Sequence, residues 1–451
     1  MTNYDVIEEY VEDFTNWNYV KARGVATISQ HKFIITECIL KGLSIVEDIQ
    51  EPYSNLTVRI IGITDNQEVL ITDYVNGKHQ IINTITEDGI YTIEDRHHFV
   101  GFGCNFVGTC NITIEQLPTS ILKDYSGNKH DAYLYGFKGR LNSGVGIYAQ
   151  DFTKWIFGSA IHNISTKAHN KLHIVKKNPN NYFGYTIGIQ KANYYNKPYK
   201  LKFNFNKEID DINFSVVSTD DNLITTQCFS AIINNGSVVD VPIISEEIFN
   251  NQKEPNIYYD FGTNKDIEID VELIPDYPNQ LCYDGKSYAV AYGLPILTDY
   301  TVIADRTWFA EKVDNGVFMS KALEQNGAFI LEYKRGDKWN TYSYYSATNI
   351  NIDKDNSIVY QTKNKYNEQT IYPGDKQDTD TLFIGTIRKD DSRSFIGCHG
   401  DILLFNRTLT DDELSVIKEV VFGISDIKDA LLTVDKKYIK LNDNNYIKLN
   451  K

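Results

Sequence analysis

Short runs in which apolar and polar residues alternate recur along this chain, and they restrict its possible folds more than any other feature. Lys200-Leu201-Lys202-Phe203-Asn204-Phe205 and Asp211-Ile212-Asn213-Phe214-Ser215-Val216 each put their apolar side chains on one side of an extended backbone. Long patterns of helical period are nearly absent. With 451 residues, 42% of them apolar, the chain has material for about three domains, each with its own core. The expected class is all-β: several antiparallel β-sandwiches of the jelly-roll kind.

Charge and motif content remove several functions. A net charge of −15 and the lack of any Lys/Arg stripe exclude a phosphate-binding surface, so neither nucleic acid nor an anionic membrane is an expected partner. Met1-Thr2-Asn3-Tyr4-Asp5 lacks the cationic start and apolar run of a secretory signal, and no later stretch is long enough to span a bilayer. A soluble protein made in the cytosol is expected, where the sequons at Asn55 and Asn111 carry no meaning. The six cysteines show no Cys-x-x-Cys spacing and are read as buried or free thiols, although Cys104 and Cys110 could meet across a hairpin. No nucleophile elbow, phosphate loop or dinucleotide fingerprint occurs. His97-His98 and His399 have no partner at metal-ligand spacing.

Along the chain, Ile7, Tyr10, Val11 and Phe14 recur at helical spacing with Glu8, Glu9, Glu12 and Asp13 opposite. Residues 1–22 are therefore expected to form an amphipathic helix that packs on the next domain or serves docking and self-association. Runs at 58–63, 89–93 and 111–115 mark a small sandwich over 23–118, ended by Leu117-Pro118 because proline breaks a ladder. Residues 138–278 have the same look. Both regions resemble non-catalytic carbohydrate-binding modules in patterning. The tail, 423–451, repeats Tyr438-Ile439-Lys440-Leu441-Asn442 as Tyr446-Ile447-Lys448-Leu449-Asn450, which predicts a hairpin.

Gly385-Thr386-Ile387-Arg388, Phe395 through Arg407, and Thr410-Asp411-Asp412-Glu413-Leu414 resemble the end of laminin-G-like, concanavalin-type lectin domains, where a last strand packs both sheets and a short helix closes the fold. The helix also follows from local chemistry. Thr410 can cap the amide three residues on, Glu413 can reach back, the acidic first turn suits the dipole, and Gly423 stops the helix. Asp124-Tyr125-Ser126-Gly127-Asn128 and the following 130–134 resemble the opening of the same family. Its expected continuation comes only at Gly285-Lys286-Ser287-Tyr288-Ala289-Val290 and at 300–308, ending in Trp308. The resemblance implies one concanavalin-like sandwich, 119–137 plus 279–422, interrupted by an inserted sandwich at 138–278.

Three sets of residues could carry function. Glu268-Ile269-Asp270-Val271-Glu272 matches the Glu-x-Asp-x-Glu signature of laminarinase-like hydrolases, in which carboxylates on one strand face cleave glycosides with retention. An edge strand with a wet face would show the same alternation, and this strand closes the insert rather than lying mid-sandwich. Trp339, Tyr342 and Tyr344 offer rings for stacking on sugars beside Asn340, with core packing or a subunit interface as the alternative. Asp353, Asp355, Asp375, Asp378 and Asp380 lie in Gly- and Asn-rich turns. Some relatives of the lectin family bind calcium at such loops, and Asp also forms ordinary turns. No other cofactor is indicated.

The fragments 101–117, 121–128 and 274–278 running into Gly285 resemble structural proteins of tailed bacteriophages of gut Bacteroidetes, the crAss-like group. This resemblance covers most of 90–422. It implies a virion protein, a head- or tail-fibre component bearing lectin-like domains for host-surface or mucosal glycans. It further implies a homotrimer attached to capsid or tail proteins and assembled in the host cytoplasm. A glycan-degrading depolymerase using Glu268, Asp270 and Glu272, and a secreted bacterial lectin, are the alternatives.

Overall fold

The structure is a computed structural model. It describes residues 6–7, 9–46, 55–75, 78–94, 100–140, 150–157, 165–168, 170–176, 187–194, 196–206, 211–219, 225–250, 256–262, 266–274, 277, 280–310, 315–323, 325–389, 392–423, 438–442 and 445–448. The chain is all-β: of the described residues 56% are in strands and 8% in helices, and the sheets are antiparallel. By contacts it divides into two units: Ile7–Phe137 with Ala289–Leu294, and Met1–Val6 with Lys138–Tyr288 and Pro295–Lys451.

The first unit holds a sandwich of two five-stranded sheets. In chain order of its ten strands, from Asn18–Tyr19 to Gly108–Gln116, one sheet runs 1-4-9-6-7 and the other 2-3-10-5-8. Phe14, Phe33 and Phe102 fill its core at zero exposure. The same unit contains the antiparallel pair Ile121–Leu122 and Ala132–Tyr135, together with residues 289–291 of the strand Tyr288–Ala291. Arg59 lies 4.3 Å from the Tyr292 ring centre and Tyr133 lies 6.3 Å from it, which ties the returning segment in place. The chain leaves this unit after Phe137 and re-enters at Ala289. The turn at 124–128 thus shares a unit with 289–294, while most of 279–422 lies in the other.

No α-helix forms among the described residues of 1–22, contrary to the amphipathic pattern. Val6–Ile7 is a strand, and a 3-10 turn at Phe14–Asn16 is followed by the strand Asn18–Tyr19. The reason lies at Asp13, whose Oδ1 accepts from the backbone amide (2.9 Å) and hydroxyl (2.5 Å) of Thr15. That cap holds a single turn, which drops Phe14 and Trp17 into the core edge-to-face at 5.0 Å.

The second unit repeats this plan. Ten strands from Ile156–Phe157 to Ile267–Ile274 pair in the same two sheet orders, 1-4-9-6-7 and 2-3-10-5-8. Entry is through the same five-residue device, Asp151-Phe152-Thr153-Lys154-Trp155. Asp151 Oδ1 accepts from the Thr153 amide (3.1 Å) and hydroxyl (2.6 Å), and Phe152 meets Trp155 at 5.7 Å. The expected sandwiches at 23–118 and 138–278 are therefore two copies of one architecture.

Further on in this unit, two sheets face each other. In one, Leu382–Ile384, Asn315–Leu323, Asn326–Arg335, Lys338–Ser343 and Ser346–Ile350 lie side by side. In the other, the order is Leu281–Asp284, Ile396–Phe405, Thr301–Trp308, Ile358–Thr362, Lys365–Tyr366 and Gln369–Thr370. Tyr300 meets Phe329 at 5.2 Å and Trp308 meets Trp339 at 5.0 Å between them. The helix Asp411–Phe422 follows with the expected capping box at Thr410 and Glu413, and Gly423 takes the left-handed cap at φ 70°. Arg407 grips Glu413 with two bonds, at 2.7 and 2.9 Å, and so holds that carboxyl down at about 2. Tyr438–Asn442 and Asn445–Lys448 pair as the predicted hairpin.

Candidate functional site

Glu268, Asp270 and Glu272 do share one face of the strand Ile267–Ile274, with Ile269 and Val271 buried behind them. The strand is not an edge. It runs between Lys171–Lys176 and Tyr199–Phe205, so its outer face looks onto two rows of neighbours. Asp270 and Glu268 have bonded partners there, and Glu272 stands opposite Lys171 and Lys202 in register. Asp270 Oδ1 lies 2.9 Å from His173 Nδ1 and its Oδ2 3.3 Å from Lys171 Nζ, while Glu268 Oε1 accepts from Asn206 Nδ2 at 2.7 Å. Asp270 is partly desolvated, yet His173 and Lys171 bring its pKa below the ordinary value, the opposite of what a proton donor needs. In the first sandwich the register places Thr113 and Glu115 at the positions of Asp270 and Glu272, with Glu115 opposite Lys32 as Glu272 is opposite Lys171. What the two copies share is a charged pair on the ladder.

The acidic loops are also occupied. Asp378 is buried against the ammonium of Lys321, and its two oxygens accept from the amides of Leu297 (2.8 Å) and Ala328 (2.9 Å). A lysine thus stands where a cation would sit. Asp353 Oδ1 caps its own turn through the amides of Asp355 and Asn356, Asp380 accepts from the Thr381 hydroxyl, and Asp375 is exposed. Among the described residues no group of three or more His, Cys, Asp or Glu could hold a metal. The six cysteines are free thiols, and Cys38 has both Cys104 and Cys110 as neighbours. His97-His98 lies outside the described residues. His399 is buried, with Nε2 2.9 Å from the Tyr283 hydroxyl.

The aromatic expectation is the one that leads to a cavity, after correction. Two tight turns fix the register of Lys338–Ser343: Arg335 pairs with Lys338, and Ser343 with Ser346. The second turn consists of Tyr344 and Tyr345, both left-handed at φ 44° and 65°, the signature of a type I′ hairpin. Alternation stops where the strand stops. Tyr344 therefore turns inward, 7% exposed, with its hydroxyl on the Leu297 carbonyl, and Tyr345 takes the outer position 6.0 Å from Tyr342. Trp339, three residues before Tyr342 in an unbroken strand, faces the other way and meets Trp308 edge-on at 5.0 Å.

A bulge completes the site. In Asn326–Arg335 the register shifts between Ile330 and Tyr333, and Glu332 sits at φ 55°. Residues three apart would otherwise face opposite sides; the bulge brings Ile330 and Tyr333 to one face. Tyr333 meets Tyr342 at 5.9 Å, with a 38° tilt. Together these rings wall a cleft of about 700 Å³ floored by Ile330 and Ile387. Its rim carries Asn315, which accepts from the Tyr333 hydroxyl at 2.8 Å, and also Ser392, Arg335 and Arg393. Among the described residues no Asp or Glu lines it. Burial pushes the Tyr342 phenol above its ordinary value, against the pull of Arg335, so its hydroxyl is neutral at pH 7 and can both donate and accept.

Of the expected residues only Tyr342 lines this cleft. Tyr333, Tyr345 and the two arginines were missed. The two tight turns were the usable signal, because counting back from them sets Tyr342 opposite Ile330. No protein-family model matches the chain, and no curated protein matches it.

Proposed function

We propose that this chain is a structural protein of a bacteriophage virion, a head- or tail-fibre component whose lectin-like sandwiches adhere to glycans of a host surface or mucosal layer. The observation that carries the adhesion half is the cleft. Three tyrosine rings on a rigid sheet can stack on sugar C–H faces, and Asn315, Ser392 and the phenols can bond to hydroxyls. The virion half rests on the sequence resemblance, and tandem sandwiches suit a protein that projects a binding surface. In this reading the sandwich begun at 119–137 resumes at 279–422 in the concanavalin manner, and the chain works as a homotrimer on capsid or tail proteins. It assigns no catalysis to Glu268, Asp270 and Glu272; the contacts of Asp270 with His173 and Lys171 and of Glu268 with Asn206 favour a scaffold. Calcium is not required at the cleft, since tyrosine, amide and arginine groups supply its contacts.

The test has two parts. Purified protein is applied to an array of host-capsule and mucin glycans, and purified virions are analysed by mass spectrometry. Glycan binding that Tyr342→Ala abolishes, together with the chain among the virion proteins, is the expected result. A protein that binds no glycan and is absent from particles sinks the proposal.

A further inference from the structure

We infer that Cys282 and Cys398 are a disulfide-forming site, at which exchange with a low-molecular-weight disulfide closes a bond that ties the strand Leu281–Asp284 to its sheet. The site is independent of the tyrosine cleft and of what that cleft takes.

Register puts the two residues face to face. Leu281–Asp284 is an edge strand, and where it pairs with Ile396–Phe405, Cys282 stands directly opposite Cys398. No other cysteine has that relation. Cys38 faces Gly24 and Gly108, Cys104 faces Gly42 and Val69, and Cys110 and Cys228 fall where the register slips.

The phase of the ladder decides whether residues so paired are close enough to bridge. On the other side of Ile396–Phe405, the Phe309 amide donates to the Ile396 carbonyl at 3.0 Å, whereas the Arg306 amide turns away to the Ser357 carbonyl at 2.8 Å. Bonded and unbonded pairs alternate along an antiparallel ladder, so Thr307, two residues before Phe309, is the bonded partner of Cys398. Cys398 therefore aims its backbone polar groups at Thr307 and none at Cys282. An unbonded pair of this kind holds its α-carbons about 4.5 Å apart, and a disulfide spans α-carbons about 4.4 to 6.8 Å apart. The backbone is already in place.

Both side chains are buried in one small cluster against Tyr277 and Phe309, whose rings lie 4.7 Å apart. In the structure both are thiols, and Cys398 Sγ donates to Gln280 Oε1 at 2.7 Å. An edge strand has a ladder on one side only, so its fraying opens the pair to a small oxidant. One cysteine sulfur, as thiolate, attacks the small disulfide and expels one thiol; the second cysteine sulfur then attacks the mixed disulfide and expels the other. The protein loses two S–H bonds and gains one S–S bond, while its two electrons and two protons end on the two small thiols released.

The full chain, purified under reductant, is incubated with oxidised glutathione, alkylated, and digested without reduction for mass spectrometry. The expected product is a peptide pair joined through Cys282 and Cys398, with the unfolding midpoint of the protein raised by several degrees and brought back by reductant. Cys282→Ala and Cys398→Ala should each abolish that rise, and Cys228→Ala should keep it. The wild-type map decides the matter even where a variant fails to fold. Cys282 and Cys398 both alkylated, glutathione left on either of them, or bonds only among Cys38, Cys104 and Cys110 overturn the inference. So does a bridge that leaves the midpoint unchanged, since the strand is then not held by it. None of these results bears on glycan adhesion.

Discussion

Glu332 accepts two hydrogen bonds from Arg306, at 2.6 and 2.8 Å, with the two side chains 0% and 1% exposed. The residues come from facing sheets, and Glu332 also takes bonds from Trp308 Nε1 (2.7 Å) and the Tyr366 hydroxyl (2.6 Å). The bulge that turns Glu332 inward is the one that turns Tyr333 outward. Core and cleft therefore depend on one backbone irregularity. Removing one partner leaves a buried charge alone, so Glu332→Gln and Arg306→Ala should each cost about 3–5 kcal/mol, read as a fall in the urea midpoint. A loss under about 1 kcal/mol would mean that water reaches the pair.

Tyr345 holds a conformation that costs a non-glycine residue about 1 kcal/mol. Tyr345→Gly should raise the thermal midpoint, since glycine adopts positive φ freely, while weakening glycan binding several-fold by deleting a wall of the cleft. A variant that is both less stable and fully active would show that the strain serves nothing.

His399 is fully buried, and burial pulls its pKa from 6.5 down to about 4. Its Nδ1 faces the Gly400 carbonyl at 2.8 Å, so that nitrogen carries the proton and Nε2 accepts from Tyr283. The unfolded chain takes up a proton near pH 6.5 and the folded chain only near 4. The contribution is thus complete above 6.5 and is lost as pH falls through that window, by roughly 3 kcal/mol. Urea unfolding at pH 7, 5.5 and 4.5 should show this slope, and His399→Gln should flatten it.

Gly385 has φ 88°, and a Cβ there would lie 2.4 Å from the Tyr283 ring. Gly385→Ala combines an unfavourable backbone with overpacking and should cost about 2–4 kcal/mol by calorimetry. Tyr283 is itself buried at 0% exposure, so the ring has little room to retreat.

Asp13 and Asp151 cap equivalent turns at the entrances of the two sandwiches. Asp13→Ala and Asp151→Ala should each lower stability by about 1 kcal/mol, seen as a shift in the unfolding of its own sandwich. Unequal losses would show that the two copies no longer use the device in the same way.

Much of this was legible in the residues. Alternation located the strands near 58–63, 89–93, 200–205 and 211–216, and the caps at Thr410, Glu413 and Gly423 are as read. The duplication was not legible, because the copies share the Asp-Phe-Thr-x-Trp device while their cores hold apolar residues of differing identity, which a sandwich tolerates if volume is kept. Ile7, Tyr10, Val11 and Phe14 had helical spacing by coincidence, and the cap at Asp13 prevailed.

The sequence by itself determined what neighbours within about four residues decide: period, turn and cap, hence the all-β class and the closing helix. Only the tertiary structure decided which strand is central, that Glu332 points inward while Tyr333 points outward, and that Tyr345 rather than Tyr344 meets solvent beside Tyr342. These choices turn on partners such as Arg306 and Tyr366, 26 and 34 positions from Glu332, and no local pattern encodes contacts at that range.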